Sequence, residues 1–403
     1  MRDRDFSRDG VLSPELLVTL LLFMAGDGRR RGYRHLLDAF WDQANQAGIP
    51  LPTESPVSAP ASCQARSKLS AKFIRTLLHK VDSKFDATFE EDARWNGRRV
   101  LSVDGTGINL QRSNELLRAF RKLDDAYCPQ AQVTTLFNVV SKVPIDVAIA
   151  PYKTSERALL LDEHLPLLAP RDVLVLDRGY PGFEVFERLL QAGVDLVVRV
   201  PSSSTFRAIT DFLESGSQDR IIEIEPGRKS SSSALPLRLR AVRSKRPDGR
   251  DVVLVTSLKK SDGYSGAQIA ELYQMRWEVE EHYKCHKSAY MGQEQLHSRT
   301  TEGVRQELLA VPLFHSLSHY FLAAAARHAQ APYKELSTKS ACLGLADYIV
   351  RLFADHNLES TDWLRRMLVR IARTPDKKRP GRKCPRRSFK PRPRWGPAGR
   401  LRA

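Results

Sequence analysis

From Arg98 onward the chain carries short, strongly apolar runs that no long helix can absorb: RRVLSVDGTGINL, VTTLFNVVSKVPIDVAIA, VLVLDRGY and DLVVRV. Each is rich in Val, Ile and Leu and bounded by Gly, Pro, Asp or Ser, the pattern of a buried strand. Helical periodicity fills Ser155 to Leu168 and Gly182 to Ala192 between the later runs, and a turn is expected around Ser141 to Pro144. The order is strand, hairpin, helix, strand, helix, strand. This predicts a mixed α/β sheet with alternating crossovers.

The flanks read differently. Residues 1–90 are helical in pattern, with helices over Pro14 to Met24, Tyr33 to Ala47 and Lys68 to Phe85 and a break at PLPTESPVSAPAS, and suggest a separate N-terminal DNA-binding domain. Within it SCQARSKLS sets Arg66 and Lys68 at the start of a helix, where they suit phosphate contact or a solvated helix end equally. The sheet occupies 91–200 and resumes with helices over 263–330. Between them, 201–262 holds IIEIEP, the Ser run Ser230 to Ser233, LPLRLRAV and, after PDGR, VVLVTSL, and is expected to be an inserted β-rich subdomain. An apolar helix runs from about Thr301 to His328, and a helical C-terminal region covers 331–375. The last segment, 376–403, holds twelve Lys and Arg between Lys377 and Arg402 with no acid and much Pro and Gly, so it is expected to be a disordered basic tail.

Charge points to the partner. Lys and Arg number 64 against 47 Asp and Glu, a net +17 in 403 residues, which favours nucleic acid over neutral partners. The five cysteines are odd in number and scattered, as expected for reduced thiols in a cytoplasmic protein. His282, Cys285 and His286 lie close in sequence, but no second ligand pair accompanies them, so a zinc site is not expected. The apolar run Leu16 to Gly26 is too short to span a bilayer and follows Ser13, Pro14 and Glu15, a helix cap and first turn, so no membrane partner is expected.

Two strand ends carry an aspartate: Asp104 in VLSVDGT and Asp177 in VLVLDRGY. Singly each is ordinary turn chemistry. On neighbouring strands they bring two carboxylates together, an arrangement that calls for a cation, and hard oxygen donors suit Mg²⁺ or Mn²⁺. YQMRWEVEEHYKCHK, read as one helix at about 100° per residue, puts Tyr273, Arg276, Glu280 and Lys287 on one narrow face, with Trp277 and Lys284 on the same side. Leu272, Met275, Val279 and Tyr283 form the stripe to be buried. The row reads either as a solvated face with pairs such as Glu280 and Lys284, or as a third carboxylate flanked by phosphate-binding cations. In the second reading Asp104, Asp177 and Glu280 ligate two ions for in-line phosphoryl transfer.

Tyr273, Arg276, Glu280 and Lys287 match Y-x2-R-x3-E-x6-K, and with DGT at Asp104 and DRGY at Asp177 the chain resembles DDE transposases of the insertion sequence four family. The resemblance implies a ribonuclease-H-like core interrupted by a β-rich insertion between the second aspartate and the glutamate. It also implies binding to terminal inverted repeats, metal-dependent cleavage of double-stranded DNA ends, and joining to target DNA by a homodimer acting in trans. Trp277 stands where the family has a Trp, but 201–262 holds none, so Phe206 or Phe212 would have to serve any base-stacking role in a hairpin step. The rival readings are a nuclease of the same fold that never joins strands, and a catalytically silent DNA-binding descendant. A nucleoid-associated bacterial protein is expected in either case.

Overall fold

The computed structural model describes residues 11–27, 31–124, 126–201, 206–227, 235–245, 251–287, 296–354 and 362–376, with only the backbone path of 284–287, 353 and 354. The Ser run, the PDGR turn and the basic tail lie outside the described residues. Five helices open the fold: α1 Pro14–Gly26, α2 Tyr33–Gln46, α3 Ala59–Arg66, α4 Ala71–Thr88 and the short α5 Glu90–Ala93. Local chemistry sets their starts. The Ser13, Ser58 and Ser70 hydroxyls each accept a hydrogen bond from a first-turn N–H, and Pro lies in the first turn of α1 and α3.

An eight-stranded sheet follows. β1 Val100–Asn109 leads through α6 Asn114–Phe120 to the hairpin of β2 Gln130–Asn138 and β3 Val143–Pro151, then α7 Glu156–Leu159, β4 Val173–Leu176, α8 Phe183–Gln191 and β5 Asp195–Val200. After α9 Arg207–Glu214 come β6 Asp219–Ile224, β7 Leu237–Lys245 and β8 Asp251–Thr256. The strand order is β3-β2-β1-β4-β5-β8-β7-β6. β1, β4 and β5 are parallel, while the hairpin on one side and β8, β7 and β6 on the other are antiparallel. The inserted strands therefore do not form a sheet of their own: Val197 of β5 pairs with Thr256 of β8, and the insertion widens the central sheet.

Strand alternation gives the sheet two apolar faces. Val100, Val173, Val175, Val197 and Leu254 face the helices α10 Gly266–Met275 and α11 Trp277–Lys287, meeting Ile269, Leu272 and Val279. Leu101, Val103, Leu174, Leu176 and Val198 face α8 and α9 through Phe186, Leu189 and Phe212. The chain closes with α12 Thr301–His328, α13 Thr338–Ala354 and α14 Asp362–Ala372. α12 is long and apolar enough to cross a membrane, but 83% of its apolar window is buried inside the protein, as a central core helix demands. Helices before residue 90 and after residue 300 share one apolar cluster, in which Leu16, Leu20, Ile74 and Leu78 join Val304, Phe314, Leu345 and Met367. The division drawn at residue 90 from the sequence thus runs through a common core.

Candidate active site

The pairing register brings the two aspartates together. β1 and β4 pair in parallel from Val100 with Val173 to Ser102 with Val175, and the same register carried two residues further sets Asp104 beside Asp177. Asp177 follows the last residue of β4, whereas Asp104, expected at a strand end, lies within β1, which continues to Asn109 against the antiparallel hairpin; it stands just past the part of β1 that pairs with β4. Ligand sites in open α/β sheets form at such points. By alternation both aspartates fall on the face covered by α10 and α11. Asp104 Oδ1 accepts from the Gly105 N–H at 2.9 Å, and Asp177 Oδ1 accepts from the Gly179 N–H at 2.7 Å.

The helix expected to be continuous across Arg276 is divided there. The Arg276 N–H bonds the Tyr273 carbonyl and the Val279 N–H bonds the Arg276 carbonyl, a tightened i to i−3 turn that keeps right-handed dihedrals of −53° and −28°. Leu272, Val279 and Tyr283 are buried as the apolar stripe requires. The tight turn directs Arg276 inward, and its side chain is only 8% exposed. Its Nη2 donates to Glu280 Oε1 at 2.6 Å while Nη1 lies 3.9 Å from Asp104 Oδ2. One guanidinium thus bridges the β1 acid Asp104 and the helix acid Glu280. Its Nε is buried and makes no hydrogen bond among the described residues. The rings of Tyr273 and Trp277 flank it at 5.9 and 5.6 Å, and Trp277 is exposed.

Among the described residues, the charge of Asp104 is only partly offset. Burial pushes the Asp104 carboxyl up to about 6; the Gly105 N–H and Arg276 oppose the shift, and the charges of Asp177 and Glu156 add to it. Burial also works against the Arg276 charge, but Tyr273, Glu280 and Asp104 hold the group protonated above its ordinary value. Among the described residues no three His, Cys, Asp or Glu side chains converge closely enough to hold a metal ion. The donor chemistry nevertheless fits a hard divalent cation: the charge of Asp177 adds to the cost of ionising Asp104, the Gly105 N–H and Arg276 offset it only in part, and the same guanidinium also binds Glu280.

Sequence reasoning missed the supports of this site. Tyr283 donates its hydroxyl to the Asp104 carbonyl at 2.8 Å and reaches Thr135 Oγ1 at 3.0 Å, fastening α11 to β1 and β2. Glu156, at the start of α7, accepts from Gln132 Nε2 at 3.0 Å and from the Tyr180 hydroxyl at 3.1 Å. Arg157 donates to the Gly179 carbonyl at 2.8 Å. Burial raises the Glu156 carboxyl, with Asp177 contributing against the two hydrogen bonds. The separation of these partners in sequence leaves no local pattern to find.

Other sequence candidates fare differently. Arg66 is not at the surface: it is 4% exposed, ion-paired with Glu307 at 3.0 Å and hydrogen-bonded to Gln306 and the Gly303 carbonyl. A guanidinium so enclosed fixes α3 to α12 and cannot reach phosphate, which corrects its assignment as a DNA contact. Lys68, two residues on, is exposed. Phe212 is fully buried and Phe206 packs on Phe186 with ring centroids 5.9 Å apart, so both expected stacking substitutes belong to the core side of the sheet. The side chains of Lys284, Cys285, His286 and Lys287 lie outside the described residues. His282 is buried between Phe137 and His315.

The transposase DDE domain family matches residues 95–317. Transposase InsG for insertion sequence element IS4 of Escherichia coli K12 is 23% identical over 312 residues, which is 74% of this chain and 69% of InsG. Among solved structures, the piggyBac transposase synaptic complex with hairpin DNA aligns at a TM-score of 0.46 and 12% identity, over 95% of this chain and 81% of that one. Since the family match takes in more than half of the chain, including Asp104, Asp177 and the helix that bears Glu280, the protein belongs to the DDE transposase family.

Proposed function

We propose that this transposase cuts and joins DNA at a site formed by Asp104, Asp177 and Glu280 on a ribonuclease-H-like core. The supporting observation is the single guanidinium of Arg276, which bridges Asp104 and Glu280 while Asp177 stands in register beside Asp104. Strand order 3-2-1-4-5, with a hairpin on one side of β1 and parallel strands on the other, supports the core assignment. The three carboxylates would hold Mg²⁺, two ions in the active complex, with Mn²⁺ as a substitute of similar donor preference. Bound there, such ions supply Lewis-acid activation of water or a 3′ hydroxyl and stabilisation of the leaving oxygen.

The protein's own groups do the placing. Arg276, once free of Glu280, has a planar fork suited to the scissile phosphate, and Lys284 and Lys287 follow about two and three turns further on, in α11. Tyr273 and Trp277 flank the guanidinium, and exposed Trp277 presents a ring face on which a displaced base can stack. Lys68 and the tail from Lys377 offer phosphate contacts without sequence choice. The DNA partners would be terminal inverted repeats and target DNA, held by a homodimer in the bacterial cytoplasm near the nucleoid. Glu280→Gln tests the site: end binding in a gel shift should stay near wild type while cleavage in Mg²⁺ collapses, as it should for Asp104→Asn and Asp177→Asn. Combining the three should add little, because the acids act as a unit. Near wild-type cleavage by Glu280→Gln would remove that residue from the site.

A further inference from the structure

Asp104 and Asp177 lie on one face of the sheet, the face that α11 covers, but β1 is gripped from the other face as well. Gly105 follows Asp104, so its missing side chain points away from α11. A Cβ there would collide with the carboxylate of Glu156 and crowd Gln132 Nε2. Glu156 therefore lies against the bare backbone of β1 directly behind Asp104. Its other oxygen takes the hydroxyl of Tyr180, three residues after Asp177, and the next residue, Arg157, takes the carbonyl of Gly179 in the same loop. Gln132 closes the set from β2.

Two adjacent residues of α7 thus hold the backbone on which both aspartates ride. Asp104 and Asp177 stand two residues beyond the last β1–β4 pair, Ser102 with Val175, where pairing between the two strands has stopped. Nothing in the sheet ladder itself fixes their separation beyond that pair. We infer that Glu156 is a positioning residue that sets the spacing of Asp104 and Asp177 through Gly105, Gln132 and the Tyr180 hydroxyl. The glycine of DGT and the tyrosine of DRGY acquire a physical reason: one makes room for the carboxylate and the other is its donor. The inference rests on the assignment of the two aspartates as metal ligands. It differs from a ligand role for Glu156, because the carboxylate approaches from behind the strand and both of its oxygens already accept hydrogen bonds.

The test is Mn²⁺ binding to the DNA-free full chain by isothermal titration calorimetry, paired with single-turnover cleavage of an end substrate. Glu156→Ala should weaken Mn²⁺ by about 10–100-fold, the usual consequence of losing a support of metal ligands, and slow cleavage with little change in end binding. Glu156→Gln should recover to within about threefold, since an amide of the same shape keeps an acceptor for Gln132 and a partner for Tyr180. Gly105→Ala should resemble Glu156→Ala, yet add little in the Glu156→Ala background, because the two lesions share one contact. Should Glu156→Ala fail to fold, Tyr180→Phe removes only the donor and should weaken Mn²⁺ about fivefold.

Loss in Glu156→Gln equal to that in Glu156→Ala would make the charge itself essential and overturn a positioning role. Wild-type Mn²⁺ affinity in Glu156→Ala, in Tyr180→Phe, or additive losses in the double variant would overturn it too. Asp104→Asn separates the two levels. If it keeps Mn²⁺ affinity, the assignment of the site has failed; if it loses affinity while Glu156→Ala does not, only the positioning role has.

Discussion

Asp104 and Asp146 are both aspartates on the central sheet, and their surroundings are opposites. Asp146, on β3, is fully buried and receives both arms of the Arg75 guanidinium at 2.6 Å, His79 at 2.7 Å and His164 at 3.0 Å, with Thr134 bonded to the far nitrogen of His164. Burial opposes its charge, yet the bonds from Arg75, His164 and His79 hold it well below the usual carboxylate range. Asp104 is less enclosed but faces two further acids and one shared guanidinium, and is pushed up to about 6. Burial alone therefore does not mark a functional carboxylate. What distinguishes Asp104 is that its neighbours leave the burial uncompensated.

The largest effect should fall on the satisfied member. Asp146→Asn leaves Arg75 facing only Glu163 and should cost about 3–5 kcal/mol in urea denaturation. A near-neutral result would dissolve the contrast. Next, saturating Ca²⁺, at about 100 times its Kd, should stabilise wild type by about 2.7 kcal/mol, and chelation by EDTA should remove the gain. Asp104→Asn should show no such gain.

Without metal, Asp104→Asn should itself be more stable than wild type by about 2 kcal/mol near pH 8, since about two pKa units of unfavourable ionisation disappear at 1.36 kcal/mol each, discounted for partial exposure. That advantage has a fixed sign with pH. The Asp104 pKa is raised on folding, from 3.8 to about 6, so its favourable contribution is complete below pH 4 and lost as pH rises through 6. The variant's advantage should therefore vanish by pH 4. For Asp146 the pKa is lowered, so its contribution holds above pH 4 and fades only in stronger acid. Unfolding curves at pH 4, 6 and 8 distinguish the two. Smallest of all, truncation after Thr374 should leave both aspartates and the unfolding midpoint untouched, while flattening the slope of log K against log salt for DNA by about 0.9 per lost phosphate contact.

The contrast also explains what could be read in advance. Asp104 and Asp177 were visible because each follows an apolar run and precedes a glycine, although the turn that pattern suggests exists only after Asp177 and β1 runs on to Asn109; Glu280 was visible because four residues at fixed spacing share a helix face. Their adjacency followed from parallel pairing, which the strand–helix–strand order predicts. Asp146 in VPIDVAIA sits in a run as apolar as that around Asp104, and its guanidinium comes from a helix 71 residues earlier, so nothing local separates the two. Glu156 reads as an ordinary first-turn helix acid. Arg66 reads as a surface cation because its partner Glu307 is 241 residues away. The insertion's strands were legible by composition, but their attachment to β5 depends on pairing Val197 with Thr256 across a long excursion. The tight turn at Arg276 broke no pattern of residue types, and only its hydrogen bonds reveal it.

The apolar cluster shared by the first and last helices has a consequence for synthesis. Leu16, Leu20 and Phe40 leave the ribosome early, whereas Phe314, Leu345 and Ile371, which cover them, come more than 270 residues later. At roughly 5–20 residues per second that interval lasts on the order of 15–70 seconds. Throughout it the nascent chain carries an apolar N-terminal surface with no lid of its own, while the sheet between is already available to fold. Production of this protein should therefore be sensitive to chaperone supply and to premature stops between residues 257 and 300, which would release chains with a finished sheet and an uncovered helical layer.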